Sequence, residues 1–495
     1  MSVGEKSIRL TFYGGANEIG GNKVLLEDFK NEVKVFIDFG INNHKLTEYK
    51  KKYGNPSSLK HLTEMNLLPA ENLLPIENLY STHFIFKQGQ KYFEKIEECK
   101  GKKDPPTNCD GIFISHAHKD HYSGLSFVNR NIPIFTGLMT KSIIQANSRT
   151  SSKYFENFYY GLNWECFRTG EKENIGGMEI IPIHVDHSIP AAYGFIFCTS
   201  AGLVIYTGDF RMHGPLSNMT TDFIEKIKEC SESDKVMALI CEGTFIHKGS
   251  IESEENVKKD LETLFESITF DYFIVKYNRN DWDRFRTFVN IAKKFNWNYV
   301  IPERDAYFYH ILNQDQRYET MRDPNLLKDD NILILLQENK EGKLFLWQQK
   351  LRDLFKRKRK EERLYNAEGL KKLKSKFFLY YTTLQDPLKE TLPLNLTGAF
   401  IASDIDPYAE EKFDNTRSLV NKLRILGIPS YRIQASGHAK PHDIYNFVKE
   451  INPKYLLPIH TKHASLFKDL FKNTDIKVVL PDNFIKTKRI IFKGK

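Results

Sequence analysis

The chain contains 495 residues, of which 41% are hydrophobic and 13% aromatic, so it is long enough for two or three domains with sizeable cores. Its formal net charge of +9 favours an acidic partner such as nucleic acid. No run of about 18 apolar residues and no apolar N-terminal stretch occurs, so we expect no membrane segment. The six cysteines contain no CxxC pair, which argues against a zinc ribbon or a disulfide framework and predicts a reducing, cytoplasmic location.

The N-terminal part is predicted to form short strands. Residues 8–12 alternate between apolar and polar side chains, and residues 33–40 form a later apolar run. Between them lies the glycine-rich segment 14–21, which precedes a strand rather than a helix and is therefore not a dinucleotide-binding fingerprint. The segment is equally well explained as a hairpin turn or as a substrate contact. Residues 42–108 are too long for a simple connection and predict a compact insertion.

Most of the chemistry is concentrated in the segment 116–121, His-Ala-His-Lys-Asp-His, which packs three imidazoles and one carboxylate into six residues. The sequence directly before it, Gly-Ile-Phe-Ile-Ser, predicts a buried strand, so these side chains emerge from a strand end into a loop. Alternate positions point His116 and His118 the same way while the chain is extended. Imidazoles and carboxylates are potential metal ligands. Asp120 and His121 can contact a second ion, apart from one bound by His116 and His118, only if the backbone turns.

Three further predicted strands each end in a polar group: His187 follows residues 178–183, Asp209 follows residues 203–206, and Glu242 follows residues 236–241. Functional groups at the ends of several strands are typical of a site built on the edge of a sheet. Histidine and carboxylate ligands without thiolates suit Zn²⁺, with Mn²⁺ as the alternative.

Residues 245–425 alternate between predicted strands and helices, which indicates a second domain with a parallel sheet of its own. Within it, residues 352–376 contain eleven basic and four acidic side chains and so carry most of the net charge. The apolar positions of this stretch predict a helical segment that extends from the domain. It is either a solvated charged helix or a surface that contacts nucleic-acid phosphates through Lys356, Arg357 and Lys358.

Several of these motifs together resemble a known family. The pattern H-x-H-x-D-H at residues 116–121 resembles the metallo-β-lactamase superfamily, and residues 184–190 and 206–210 are similar to its next ligand motif and its bridging aspartate. Motifs A, B and C of the β-CASP nucleases, above all of RNase J-like enzymes, resemble residues 241–244, 435–439 and 458–461.

This resemblance implies an α/β (α+β) fold, a metallo-β-lactamase αββα sandwich with an inserted β-CASP α/β domain. The sandwich would contain residues 1–244, including the insertion at 42–108, and residues 426–495. The β-CASP domain would contain residues 245–425.

The resemblance also implies a role for each site residue. Two divalent metal ions would be held, one by His116, His118 and His187, the other by Asp120, His121 and His460, with Asp209 bridging them. A metal-bridging hydroxide would hydrolyse an RNA phosphodiester, with Asp120 taking part in catalysis. His438 would act as the general acid, kept protonated and oriented by Glu242.

The implied partner is single-stranded RNA, bound in part by Ser436 and Lys440, and a homo-oligomer is compatible with the sequence. Lys440 stands where motif B commonly ends in Ser, and Gly243 stands where motif A commonly has Ser. The usual pocket for a terminal phosphate is therefore not expected unchanged. A DNA nuclease of the same superfamily and a non-catalytic RNA-binding scaffold are the alternatives, and endonucleolytic and exonucleolytic action both stay open.

Overall fold

The chain divides into two units in the computed structural model, residues 1–251 with 437–495 and residues 252–436. The second unit extends past residue 425, the predicted limit, because strand Ser430–Arg432 still pairs with strand Gly398–Ala402. The structure describes residues 6–56, 58–83, 101–150, 159–248, 252–267, 269–315, 322–337, 344–381, 397–403, 421, 423–481 and 490–494.

The first unit contains two seven-stranded sheets. The strands of the first sheet are β1 Ser7–Gly14, β2 Lys23–Asp28, β3 Val33–Ile37, β4 Gly111–Ile114, β5 Pro133–Gly137, β6 Asn163–Phe167 and β21 Ile490–Lys493. Their spatial order is β21-β1-β2-β3-β4-β5-β6. The pairs from β21 to β3 are antiparallel, and the pairs from β3 to β6 are parallel.

The strands of the second sheet are β7 Glu173–Ile175, β8 Met178–Val185, β9 Ala192–Thr199, β10 Gly202–Tyr206, β11 Val236–Glu242, β19 Tyr455–Ile459 and β20 Lys477–Val478. Their spatial order is β20-β19-β11-β10-β9-β8-β7. Every residue of β11 is buried, which explains why this strand is an uninterrupted apolar run before Glu242.

The two sheets pack face to face through aromatic side chains. The ring of Phe113 on β4 lies 5.7 Å from that of Phe195 and 5.6 Å from that of Phe197, both on β9. The helices that the structure describes in this unit are Asn43–Tyr53, Leu59–Glu64, Lys119–Tyr122, Leu138–Thr150, Ser217–Ser231, Pro441–Ile451 and Ser465–Phe471. Of these, Leu138–Thr150 packs on the first sheet and Ser217–Ser231 on the second, so the layers are α, β, β and α.

Helix Ser217–Ser231 shows why the sequence builds this outer layer. It buries Thr220, Phe223, Ile224 and Ile227, which recur at the spacing of one face of a helix. The three apolar members join a core cluster with residues from the second sheet and from helix Pro441–Ile451. Burial of each such side chain stabilises the fold by about 1.5–3 kcal/mol.

The second unit is built on a wholly parallel sheet with the order β15-β14-β13-β16-β12-β17-β18. Its strands are β12 Tyr272–Lys276, β13 Asn298–Pro302, β14 Ile332–Leu335, β15 Leu364–Tyr365, β16 Phe377–Tyr380, β17 Gly398–Ala402 and β18 Ser430–Arg432. The described helices include Glu254–Ser267, Trp282–Lys294, Glu303–Leu312, Leu346–Arg357 and Ala367–Lys371. The predicted sandwich with an inserted α/β domain is confirmed.

The basic stretch 352–376, which its apolar positions predict to be helical, is helical only in part. The helix ends at Arg357, and Arg359 adopts the left-handed conformation with φ 55°. The chain then forms a short 3₁₀ turn, strand β15 and helix Ala367–Lys371. Buried Arg363 donates hydrogen bonds to the carbonyls of Ile332 and Leu326, so tertiary contacts override helix propensity here.

The predicted insertion, residues 42–108, contains the two short helices Asn43–Tyr53 and Leu59–Glu64 and a 3₁₀ turn, Glu71–Leu73. Residues 57 and 84–100 of this stretch lie outside the described part of the chain. Among the helices that the structure describes, none has the length and apolar character needed to cross a bilayer.

Candidate metal centre

The segment 116–121 leaves the first sheet at the end of β4, as the sequence predicts. Helix Lys119–Tyr122 begins directly after His118, and the N–H of His121 donates to the carbonyl of His118 at 2.9 Å. This turn gives Asp120 and His121 a different direction from the two preceding histidines. One short loop therefore contributes to two groups of ligands.

The first group consists of His116, His118, His187 and Asp209, whose ligand atoms all lie within 4.8 Å of one another. The Nε2 atoms of His116 and His187 each lie 3.0 Å from Nδ1 of His118. His116 follows β4 in the first sheet, and His187 follows β8 in the second. The group thus joins the two layers of the sandwich at one edge.

The second group consists of Asp120, His121 and His460, again with ligand atoms within 4.8 Å. Nε2 of His460 lies 3.2 Å from Oδ2 of Asp120, and Nε2 of His121 lies 4.0 Å from it. His460 follows β19 and adopts the left-handed conformation with φ 56°. The backbone therefore turns at His460, directly after the last residue of β19.

Asp209 stands between the two groups. Its Oδ2 lies 3.2 Å from Nε2 of His121, 3.6 Å from that of His116 and 3.7 Å from that of His460. Its Oδ1 and Nε2 of His121 are buried, and neither has a hydrogen-bond partner among the described residues. Buried polar atoms without partners are uncommon, and these two belong to residues of the two neighbouring groups, so the donor set fits a divalent cation.

The electrostatics of the first group favour neutral imidazoles. Burial lowers the pKa of His118 to about 4, and it holds the pKa values of His116 and His187 well below their usual range. A neutral imidazole is the form that binds a metal ion. These three histidines are therefore ready to act as ligands at neutral pH.

The second group behaves differently because of its carboxylates. Burial alone would lower the pKa of His121, but Asp209 and then Asp38 raise it well above the usual value. The pKa of His460 is also raised, since Asp209 and Asp120 outweigh the effect of burial. The carboxylates thus favour positive charge at this point, which is the charge that a divalent cation supplies.

Asp38 is a site residue that the sequence analysis does not single out. It is fully buried after β3 and accepts hydrogen bonds from the Ser115 N–H at 2.8 Å, from the Tyr206 hydroxyl at 2.6 Å and from Nδ1 of His121 at 2.7 Å. Its carboxylate therefore fixes the tautomer and ring orientation of His121. The available signal was a carboxylate directly after an apolar strand, the same signal that marks Asp209.

Other ligands have similar supports. The Thr244 hydroxyl lies 2.7 Å from Nδ1 of His460, and Nδ1 of His187 contacts the carbonyl of Gly437. Buried Arg211 donates from Nε to Asp186, the residue before His187, at 3.1 Å. With Nδ1 engaged in this way, Nε2 of His460 lies 3.7 Å and Nε2 of His187 lies 3.9 Å from Oδ2 of Asp209.

His438 and Glu242 lie beside this cluster. Nδ1 of His438 lies 3.2 Å from Oε1 of Glu242 and 3.9 Å from Oδ2 of Asp209. The other oxygen of Glu242 accepts the N–H of Thr244 at 2.9 Å. His438 also forms a third group of close ligand atoms with Asp209 and His460, so the geometry admits either a proton donor or a ligand.

The remaining predicted site residues lie outside the ligand groups. Ser436 is the last residue of the second unit, and half-buried Lys440 precedes helix Pro441–Ile451. Lys356, Arg357 and Lys358 are exposed at the end of helix Leu346–Arg357 in the second unit.

Comparison with known families matches two stretches of the chain. A family described as a beta-lactamase superfamily domain matches residues 85–229, which contain six of the seven candidate ligands. Residues 85–229 are thus similar to a domain of this superfamily. A second family, described as a Zn-dependent metallo-hydrolase RNA specificity domain, matches residues 431–481, which contain His438 and His460.

The individual proteins to which the chain is similar include ribonucleases. The chain is 23% identical to ribonuclease J of Helicobacter pylori over 98% of its own length and 60% of that protein. It is 28% identical to ribonuclease J of Sinorhizobium meliloti over 31% of its length and 27% of that protein. The chain thus spans less than two thirds of these relatives. A crystal structure of a protein of unknown function from Enterococcus faecalis shares the fold, with a TM-score of 0.71, 21% identity, and coverage of 98% of this chain and 100% of that one.

Replacing Asp38 with Asn should weaken metal binding by about 10–100-fold, because loss of the hydrogen-bond partner of a metal-binding histidine typically lowers metal affinity by this factor. The measurement is Zn²⁺ affinity in competition with a chromophoric chelator. Asp28→Asn is the matched control, since Asp28 is also a buried carboxylate of the first sheet but accepts from Ser200 instead. Wild-type affinity in Asp38→Asn would contradict the assigned role.

Proposed function

We propose that the protein is a metal-dependent ribonuclease that hydrolyses phosphodiester bonds of RNA. The observation that carries this proposal is the position of Asp209, with Oδ2 3.2–3.9 Å from a nitrogen of each of His116, His121, His187, His438 and His460. Similarity to ribonuclease J over most of the chain, and to an RNA specificity domain over residues 431–481, supports RNA as the substrate.

The proposed cofactor is a pair of divalent ions, Zn²⁺ first and Mn²⁺ as the alternative, since every donor is an imidazole or a carboxylate. His116, His118 and His187 would hold one ion, and Asp120, His121 and His460 the other, with Asp209 shared. When bound, such a pair lowers the pKa of a shared water and stabilises the attacking and leaving oxygens of a phosphoryl displacement.

The chain's own contribution to bond cleavage is a proton for the leaving oxygen. Attack on phosphorus breaks a phosphorus–oxygen bond, and the departing oxygen needs a proton at neutral pH. His438 is the donor in this proposal, because the seven ligand positions are filled without it. Glu242 contacts Nδ1 at 3.2 Å, which orients the ring so that Nε2 carries the transferred proton.

Binding of RNA would draw on basic residues of the second unit. Lys356, Lys358 and Arg359 are exposed and make no ion pair within the described part of the chain. By contrast, Arg352 pairs with buried Glu303, and Lys360 pairs with Asp330. We therefore limit the phosphate-binding surface to residues 356–359, the exposed end of helix Leu346–Arg357 and the turn after it.

The test of the proposed activity is competition between single-stranded RNA and DNA of one sequence at equal salt. We expect a higher kcat/KM for RNA, and end labels on the RNA would separate endonucleolytic from exonucleolytic action. Equal rates, or faster cleavage of DNA, would favour a DNA nuclease of the superfamily. Binding of RNA without cleavage, in protein loaded with Zn²⁺ or Mn²⁺, would favour a scaffold.

Replacing His438 with Ala should lower turnover by about 10²–10⁴, the usual contribution of a general acid, and leave metal content unchanged. His442→Ala is the matched control, because His442 is exposed on helix Pro441–Ile451. Turnover and metal content are measured on the same preparations. Loss of an ion would place His438 among the ligands, as its contacts with Asp209 and His460 allow.

Changing Lys356, Arg357 and Lys358 together to Ala should weaken RNA binding and flatten its salt dependence. The slope of the logarithm of the binding constant against the logarithm of the salt concentration should change by up to about 2, because each lost phosphate contact on a single strand contributes roughly 0.7. Binding is measured in the His438→Ala background, which keeps the RNA intact. A control variant loses the same charge at Lys258, Lys259 and Lys472, which are also exposed. Identical slopes in the two variants would favour a solvated helix end.

A further inference from the structure

The glycine-rich loop between β1 and β2 lies directly against the second group of ligands. The N–H groups of Gly21 and Asn22 both donate to the carbonyl of Asp120 at 3.0 Å, and the N–H of His460 donates to the carbonyl of Gly15 at 2.7 Å. Gly20 has φ 78°, and a Cβ there would lie 2.4 Å from Oδ2 of Asp120. The loop is a hairpin connection, and it also contacts Asp120 and His460 directly.

A second segment, residues 39–40, lies against the turn that carries Asp120 and His121. The N–H of Phe39 donates to the carbonyl of His121 at 2.8 Å, and the N–H of Gly40 donates to the carbonyl of Asn22 at 3.0 Å. A Cβ on Gly40 would lie 1.7 Å from the carbonyl oxygen of Asp120. Two backbone segments thus enclose the turn that carries Asp120 and His121.

Lys23 connects these two segments. It is the first residue of β2, its side chain is buried, and Nζ donates to the carbonyls of Gly21 at 2.7 Å and Gly40 at 2.6 Å. Burial lowers the pKa of Lys23 to about 7, opposed by the nearby carboxylate of Glu18. Lysine is rarely fully buried because desolvation of its ammonium group is costly. The cost of burying Lys23 therefore suggests that its two hydrogen bonds serve a specific purpose in the structure.

We propose that Lys23 is a positioning residue for the second metal ion. Its Nζ binds the carbonyls of Gly21 and Gly40 and so holds the glycine-rich loop against residues 39–40. These two segments in turn hold Asp120, His121 and His460 at distances suited to binding one ion. The first group is supported differently, from Ser115 at His116 and from the carbonyl of Gly437 at His187. This inference rests on the proposed two-ion centre and adds to it a residue that contacts no ligand side chain in that centre.

Lys23→Met removes the donors at nearly constant volume, and Lys23→Gln retains N–H donors with a shorter reach. Arg9→Met is the matched control, because Arg9 pairs with Glu27 within the same β1–β2 hairpin but away from its loop. Each full-length variant is stripped with chelator and titrated with Zn²⁺ alone against a chromophoric competitor. Elemental analysis and the Tm are recorded on the same samples.

In wild type we expect two ions per chain. Lys23→Met should keep wild-type affinity for the first ion and bind the second at least about 10-fold more weakly, the lower end of the loss seen when a ligand's support is removed. Lys23→Gln should show a smaller loss for the second ion. Arg9→Met should lower the Tm and bind both ions as wild type does.

Wild-type affinity for the second ion in either Lys23 variant would overturn the inference. Equal weakening of both ions, or the same loss in Arg9→Met, would also overturn it, because Lys23 would then only stabilise the fold. If Lys23→Met does not fold, the comparison of Lys23→Gln with Arg9→Met decides the question. Wild-type protein that binds a single ion would instead count against the proposed two-ion centre itself.

Discussion

The arrangement depends on one buried carboxylate. Asp209 is 2% exposed, and its Oδ2 lies within 4 Å of five imidazole nitrogens. A buried charge is tolerated only when it is paired or coordinates a metal. The histidines hold the pKa of Asp209 well below its usual range although burial opposes this, so the carboxylate keeps its negative charge. Both groups of candidate ligands are arranged around this charge.

The αββα sandwich supplies the rigidity that this arrangement requires. Asp38 and His116 follow strands of the first sheet, whereas His187, Asp209 and His460 follow strands of the second and Glu242 is the last residue of one. Phenylalanines between the sheets fix the layers relative to each other, so ligands from different layers meet with little freedom. The supports behind the ligands, from Asp38, Thr244 and Gly437, then set the orientation of each ring.

The sequence predicted a site at the edge of a sheet because several candidate ligands follow apolar strands, and strand ends at one edge of a sheet converge. The full set of candidate ligands came from the resemblance to the metallo-β-lactamase superfamily. It did not predict Asp38 or Lys23, because one carboxylate after a strand and one lysine within a strand resemble many solvated residues. Their importance lies in burial and in hydrogen bonds to segments distant in sequence. The basic stretch was misjudged for a related reason. Arg363 looks like part of a charged helix, but the helix ends at Arg357 and Arg363 is buried against backbone carbonyls.

The central claim is that Asp209 joins two metal ions in one centre. The most direct measurement is the metal content of wild type and Asp209→Ala after saturation with Zn²⁺ and removal of excess ion, with Asp222→Ala as a control exposed on helix Ser217–Ser231. The account predicts two ions per chain in wild type and in the control, and loss of both in Asp209→Ala. At most one ion in wild type, or two ions retained in Asp209→Ala, would contradict it.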